Sequence, residues 1–374
     1  MELVDAPHQL EAACRALQSS STFYLDTEFN SDRGGTELCL IQVSAGNEVF
    51  LVDPVRLTDL TPLAEVLSGA DRTWVLHAGQ QDVPLLTDRL GIDPPRLFDT
   101  QIAWAMVSIE HSTSLSYLKY RLLGLRGEKA HQADDWRRRP LPEGQLAYAA
   151  EDVEHLPALY RALLSLVAEL DRTELVYAAS SECLLPLAEA PEPLDLASFR
   201  NAWQLEPAGQ STLLVLIDWY NGLNEEERDS APDPKGLFVL ASRRPRSLEE
   251  LSGLRAVPKR ATSRFGKVLL SLVQKGIGLA KHAEFVAIDP PPYATVNELL
   301  AGGWLEAARA ELCVELKLAP ELVLPARVLR RLRDCAVRAG QLGSAADGLT
   351  GFRRELLLEP LSKKLAQSGT FPRS

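Results

Sequence analysis

A chain of 374 residues is long enough for two or three domains, and its 46% apolar and 24% charged residues exclude a disordered, collagen-like or fibrous protein. No aliphatic run approaches the ~20 residues needed to cross a bilayer, so no membrane partner is expected. The net charge of −11 hides an asymmetry: residues 1–195 hold 15 Lys and Arg against 31 Asp and Glu, a balance of −16, which leaves +5 for the remainder.

The chain starts Met1-Glu2-Leu3-Val4-Asp5, without the basic start and apolar run of a signal peptide, so a cytoplasmic location is expected. Residues 22–26, 37–43 and 48–52 are short β-branched and aromatic runs, read as three strands. Ser44-Ala45-Gly46-Asn47 is rich in turn formers, which predicts an antiparallel meander. The pattern then alternates: Thr58 to Leu67 reads as a helix, Thr73 to Leu76 as a strand and Gln80 to Leu90 as a helix. The fold class implied is α/β, a mixed sheet flanked by helices.

Beyond about residue 100 the sequence reads as amphipathic helices punctuated by Gly and Pro. Two proline-dense linkers, 186–195 and 289–293, divide the chain into 1–185, 196–286 and 294–374. The last two pieces share an ending, Arg264-Phe265-Gly266-Lys267-Val268-Leu269-Leu270 and Gly351-Phe352-Arg353-Arg354-Glu355-Leu356-Leu357, which suggests a duplicated all-α domain. Five scattered cysteines with no Cys-x-x-Cys pair read as reduced thiols, with neither a disulfide framework nor a structural zinc site. Walker-type and GxGxxG loops are absent, so no nucleotide cofactor is expected.

The chemistry is carried by acids. Asp26 and Glu28 sit two residues apart at the end of the first strand, so both point to one face. Asp82 opens a helix after a strand, in His77-Ala78-Gly79-Gln80-Gln81-Asp82. Tyr148 and Asp152 lie four apart on one helix face. Taken singly, an exposed acid pair or a helix-start aspartate is unremarkable surface or capping chemistry. Gathered together, four carboxylates with no matching cation nearby in sequence call for divalent metal, and oxygen-only ligands favour magnesium or manganese.

In this order the motifs resemble those of the DEDD exonuclease superfamily, tyrosine variant. Leu25-Asp26-Thr27-Glu28-Phe29, Leu76-His77-Ala78-Gly79 with Asp82, Phe98-Asp99-Thr100-Gln101 and Tyr148-Ala149-Ala150-Glu151-Asp152-Val153 resemble the bacterial ribonuclease D family over nearly the whole chain. The resemblance implies an RNase H-like exonuclease domain over 1–185. Arg200-Asn201-Ala202-Trp203-Gln204-Leu205, Leu216-Ile217-Asp218-Trp219 and Ser247-Leu248-Glu249-Glu250-Leu251 resemble the helical HRDC domain, giving HRDC-type domains at 196–286 and, in divergent form, 294–374. It further implies a two-metal-ion 3′-to-5′ exoribonuclease that releases nucleoside 5′-monophosphates from RNA with a free 3′ end, transfer RNA precursors among them. Asp26 would then bridge both ions, Glu28 and Asp152 would hold the ion that activates water, and Asp82 would serve the second. Tyr148, a phenol with an ordinary pKa near 10, would orient that water.

Phe29 is a candidate stacking platform for the terminal base, or simply core, and His77 a candidate substrate contact, or an ordinary strand-end histidine. Arg137-Arg138-Arg139, Arg243-Arg244-Pro245-Arg246, Lys259-Arg260 with Arg264, and Arg330-Arg331 with Arg333 could bind phosphate or be solvated surface. Two other functions stay open: a 3′-to-5′ exonuclease on single-stranded DNA, and a non-catalytic RNA-binding scaffold.

Overall fold

The computed structural model describes residues 1–32, 35–46, 48–126, 134–184, 193–199, 201–281 and 296–366. Linker 289–293, residues 186–192 of the other linker, and Arg200 lie outside them.

The chain begins with β1 (Glu2–Val4) and α1 (Pro7–Leu17), then β2 (Thr22–Asp32), β3 (Gly35–Ser44) and β4 (Val49–Val52). There follow α2 (Thr61–Leu67), β5 (Thr73–Leu76), α3 (Asp82–Leu90), β6 (Leu97–Asp99) and α4 (Thr100–Ala105). The sheet order is β1-β4-β3-β2-β5-β6. Strands β2, β3 and β4 form the expected antiparallel meander, while β1-β4, β2-β5 and β5-β6 pair in parallel. This is the mixed, helix-flanked sheet anticipated from the sequence.

The deviations from the sequence reading have local causes. Strand β2 runs on to Asp32 because β3 pairs with it along its whole length, past a bulge at Glu28/Phe29. Helix α2 starts at Thr61 because Pro62, which lacks an N–H, fits only the first turn. Strands β1 and β6 have three residues each, too few to show a period of two.

Helices α5 (Leu115–Leu123), α6 (Glu143–Glu154), α7 (Leu156–Glu169) and α8 (Thr173–Leu184) complete the sheet-bearing part. Next come α9 (Pro207–Asn221), α10 (Glu225–Ser230), α11 (Pro234–Arg243), α12 (Leu248–Ser252) and α13 (Lys259–Leu279), and last α14 (Val296–Leu316), α15 (Pro320–Val323), α16 (Ala326–Ala339) and α17 (Gly351–Ala366). The C-terminal half is therefore helical, as expected.

The chain forms two compact units, Met1–Leu187 with Val296–Ser374, and Ala188–Thr295. In the second, α9 and α13 bracket a core of Leu213, Leu216, Leu240, Phe265 and Leu269. A Cβ on Gly276 would lie 2.4 Å from the Thr212 Cα, so only glycine lets these two helices approach so closely. In the first, Leu312, Leu318, Leu332 and Phe352 share one core with sheet residues Phe23, Leu25 and Val75. The Ala319 N–H donates to the Ala105 carbonyl at 2.8 Å, and Arg353 pairs with Glu182 of α8. Segment 296–366 thus packs onto the sheet-bearing part. All five cysteines are free thiols, and no described helix is long and apolar enough to cross a membrane.

Candidate active site

Alternation along β2 places Tyr24, Asp26 and Glu28 on one face of the sheet, and Phe23, Leu25 and Thr27 on the other. Helix α6 packs across β2, β3 and β4 and carries Asp152 to the first face. One carboxylate oxygen from each of Asp26, Glu28 and Asp152 then lies within 4.8 Å of the other two. Asp82, in the first turn of α3, stands outside that group, where its carboxylate accepts a hydrogen bond from the Thr27 hydroxyl. The helix N-terminus and that hydroxyl both favour its ionised form.

Like charges at this spacing raise one another's proton affinity. Asp26 lies well above the ordinary carboxylate range, through burial first and then repulsion from Asp82, Asp152 and Glu28. Glu28 is pushed up to about 8 by burial, then by Asp152, Asp82 and Asp134. Asp82 and Asp152 are each raised to about 6, chiefly by burial. Hydrogen bonds from Thr27 to Asp82 and from Tyr148 to Asp152 limit the rise. No ion pair to Asp26, Glu28 or Asp152 occurs among the described residues; the buried Lys119 lies close enough to lower Asp152 but pairs with Glu151 at 2.5 Å. A donor set of hard oxygens without a compensating side-chain cation fits divalent metal.

The turn before Asp82 is held from below. Ala78 adopts a left-handed conformation (φ 56°), which costs a non-glycine residue about 1 kcal/mol. The Gly79 N–H donates to Asp99 Oδ2 at 2.9 Å, while Asp99 Oδ1 accepts from the N–H groups of Gln101 and Ile102. Asp99 is fully buried, so this one carboxylate caps α4 and pins the turn together. His77 meets the Thr100 hydroxyl at 2.9 Å through Nδ1 and the Thr113 carbonyl at 3.0 Å through Nε2. Both ring nitrogens are thereby engaged within the protein, and burial lowers the ring's proton affinity.

Tyr148 is half-buried, with its ring 6.3 Å from that of the buried Trp136. Phe29 is half-buried at the β2 bulge, beside Glu28. Gln42, which the sequence did not single out, pairs directly opposite Asp26 across β2 and β3. It is fully buried, and its amide makes no hydrogen bond among the described residues. The 137–139 run divides by role: Arg137 pairs with Asp135, whereas Arg139 forms a bidentate pair with buried Asp53 at 2.6 and 2.8 Å. Arg139 also donates to the Cys39 and Trp136 carbonyls, so it is a structural residue.

Comparison with known proteins bears on this geometry. Residues 1–168 match the 3′-5′ exonuclease family model. Ribonuclease D of Cronobacter turicensis is 31% identical over 370 residues, covering 95% of this chain and 97% of the relative. The chain belongs to the ribonuclease D family. Escherichia coli ribonuclease D is 29% identical over 382 residues, with 98% of each chain covered. Its crystal structure, titled as that of an exoribonuclease involved in structured RNA processing, matches with a TM-score of 0.78 at 26% identity over 98% of each chain. As a member of the ribonuclease D family the chain is a 3′-to-5′ exoribonuclease, a hydrolase of phosphodiester bonds.

Proposed function

We propose that this exoribonuclease is metal-dependent and that Asp26, Glu28, Asp82, Tyr148 and Asp152 carry its reaction, releasing nucleoside 5′-monophosphates from RNA 3′ ends. The observation that carries this reading is the convergence of Asp26, Glu28 and Asp152 within 4.8 Å, without an ion-paired cation among the described residues. Asp26 feels all three other acids, which suits it to be the ligand shared by two ions. Glu28 and Asp152 would complete one position, and Asp82, set back on Thr27, would serve the other directly or through water. Two magnesium or manganese ions would there supply Lewis-acid stabilisation of the attacking and leaving oxygens. Tyr148, hydrogen-bonded to Asp152, is placed to orient the attacking water. Phe29 offers an aromatic face beside Glu28 for the terminal base.

Transfer RNA precursors and other structured RNAs with a free 3′ end are the proposed substrates, and the cytoplasm the proposed location. Segments 196–286 and 294–374 are proposed as HRDC-type domains, the second docked onto the nuclease. The test is a time course on a 3′-overhang RNA and its DNA counterpart with magnesium, manganese or a chelator, products being resolved by size. Metal-dependent loss of single nucleotides from the RNA 3′ end is expected, abolished by Asp26→Asn with RNA binding retained. Unchanged turnover in Asp26→Asn overturns the site assignment, and a preference for DNA overturns the substrate.

A further inference from the structure

An exonuclease whose residues 1–195 carry a charge of −16 repels the polyanion it must hold. The compensating charge has to lie elsewhere, close enough to the acids to act on the same strand. Helix α16 has the composition for it, with Arg327, Arg330, Arg331, Arg333 and Arg338 against a single acid, Asp334. At 100° per residue, Arg327, Arg330, Arg331 and Arg338 fall within one arc of about 100°, while Val328, Leu329, Leu332 and Ala336 turn to the core. All four arginines of the arc are exposed. Asp334 lies within the arc, one turn from Arg330 and from Arg338, but its carboxylate is paired by Arg333 from outside the arc, and four arginines against this one acid leave the stripe strongly positive.

The stripe is placed as well as charged. It lies in the same compact unit as the carboxylates. At its N-terminal end Arg327 lines a cavity of about 330 Å³ together with Ala78 and Gln80, the turn that leads directly into Asp82. Buried Arg353 lines the same cavity. The acids around it are engaged: Glu182 pairs with Arg353, Glu321 with Arg309, and Asp99 with the Gly79 N–H. From that end the stripe extends about 16 Å along the helix, at 1.5 Å per residue over positions 327 to 338.

We propose that the exposed arginine stripe of α16, beginning at this cavity, binds the phosphodiester backbone of the RNA strand whose 3′ end occupies the acidic site. The proposal rests on the exonuclease reading above and deepens it by naming a substrate contact. Guanidinium groups on a rigid helix hold phosphates without regard to base, which suits an enzyme that shortens its own substrate one nucleotide at a time.

The test is equilibrium binding of a labelled single-stranded 20-mer RNA to the full chain in an Asp26→Asn background, over a salt series, with and without Arg330→Gln/Arg338→Gln. Each phosphate contact on a single strand contributes about −0.7 to the slope of log K against log salt. The double substitution is therefore expected to flatten the slope by about 1.4 and to weaken low-salt binding roughly tenfold. Arg330→Lys/Arg338→Lys, which keeps both charges, is expected to retain most of the slope; both pairs of side chains are exposed, which makes misfolding unexpected, and the lysine variant controls for it. Equal affinity and slope in the glutamine and parent proteins overturns the proposal, as does stripe-dependent binding to phosphatidylglycerol vesicles but not to RNA. Cleavage by the chain with intact acids is assayed separately, so a failure of the exonuclease reading is seen there and leaves the binding result to decide the stripe.

Discussion

Arg139 separates two meanings of a basic run, and its replacement by alanine gives a sharp test. Asp53 is 1% exposed and accepts four N–H groups, Nε and Nη2 of Arg139 and the backbone N–H groups of Val55 and Arg56. Removing the guanidinium leaves a buried carboxylate with the two backbone donors alone, and strips the Cys39 and Trp136 carbonyls of their donor. Breaking one side of a buried pair costs about 3–5 kcal/mol. In a unit of this size that lowers Tm by roughly 10 °C. Arg139→Lys recovers only part of the loss, because one ammonium cannot serve both Asp53 oxygens and two carbonyls. Arg139→Met with Asp53→Asn is expected to lie above the single alanine variant, since no charge then stays buried alone. Thermal and urea unfolding measure each step, and RNA cleavage kinetics on folded protein measure KM. A stability change under about 1 kcal/mol accompanied by a raised KM would refute the structural role and return Arg139 to phosphate binding.

The acid cluster has a pH signature. Raised carboxyl pKa values mean that the folded chain retains protons which the unfolded chain releases, so metal-free stability falls as pH rises from the ordinary carboxylate range to about 8, the value for Glu28. Magnesium should raise Tm more at pH 8 than at pH 5, and Glu28→Gln should flatten the metal-free profile between pH 6 and 8; a metal effect equal at both pH values would count against the cluster as the binding site. Thr27→Val removes the hydroxyl that holds Asp82 and should cut kcat about tenfold, the lower end for a residue supporting a metal ligand, with the fold retained on circular dichroism. Wild-type kcat in that variant would show that Asp82 needs no anchor. Gln42→Met replaces an unpaired buried amide by an apolar chain of similar volume and should stabilise by about 1–2 kcal/mol in urea unfolding. If it destabilises instead, the amide has a partner that the protein alone does not display.

The acids were legible as pairs from strand and helix periods, and as one set from the order of their motifs. Asp26 and Glu28 share a face by the period of two, and Tyr148 and Asp152 share one by the spacing of four. What escaped depends on long-range partners. Nothing near Arg139 distinguishes it from Arg138, since its partner Asp53 lies 86 residues away. Gln42 sits inside the apolar run of β3 and gains interest only when pairing sets it opposite Asp26. Thr27 read as a spacer between two acids, yet because it points to the other face it is the residue that reaches Asp82. The docking of 296–366 onto the nuclease was hidden for the same reason, as a helix pattern records which face is buried and not what buries it.

Several residues that break local rules border the acidic cluster, although others, such as left-handed Ser112, Asp171 and Lys317, lie elsewhere. The mutually repelling acids come from β2, α3 and α6, the Gln42 amide, without a hydrogen bond among the described residues, lies on β3, and left-handed Ala78 lies in the turn entering α3. Each is unfavourable in the free chain, and a sheet selected for stability alone would have replaced them with apolar or glycine residues. Repelling acids are expected where binding supplies what folding lacks: divalent cations held by these carboxylates would remove the repulsion. Elsewhere in the unit comparable buried charges, such as Asp53, Asp99 and Arg353, have partners in the chain itself. The contrast between satisfied and unsatisfied buried charge therefore supports the proposed site independently of any motif.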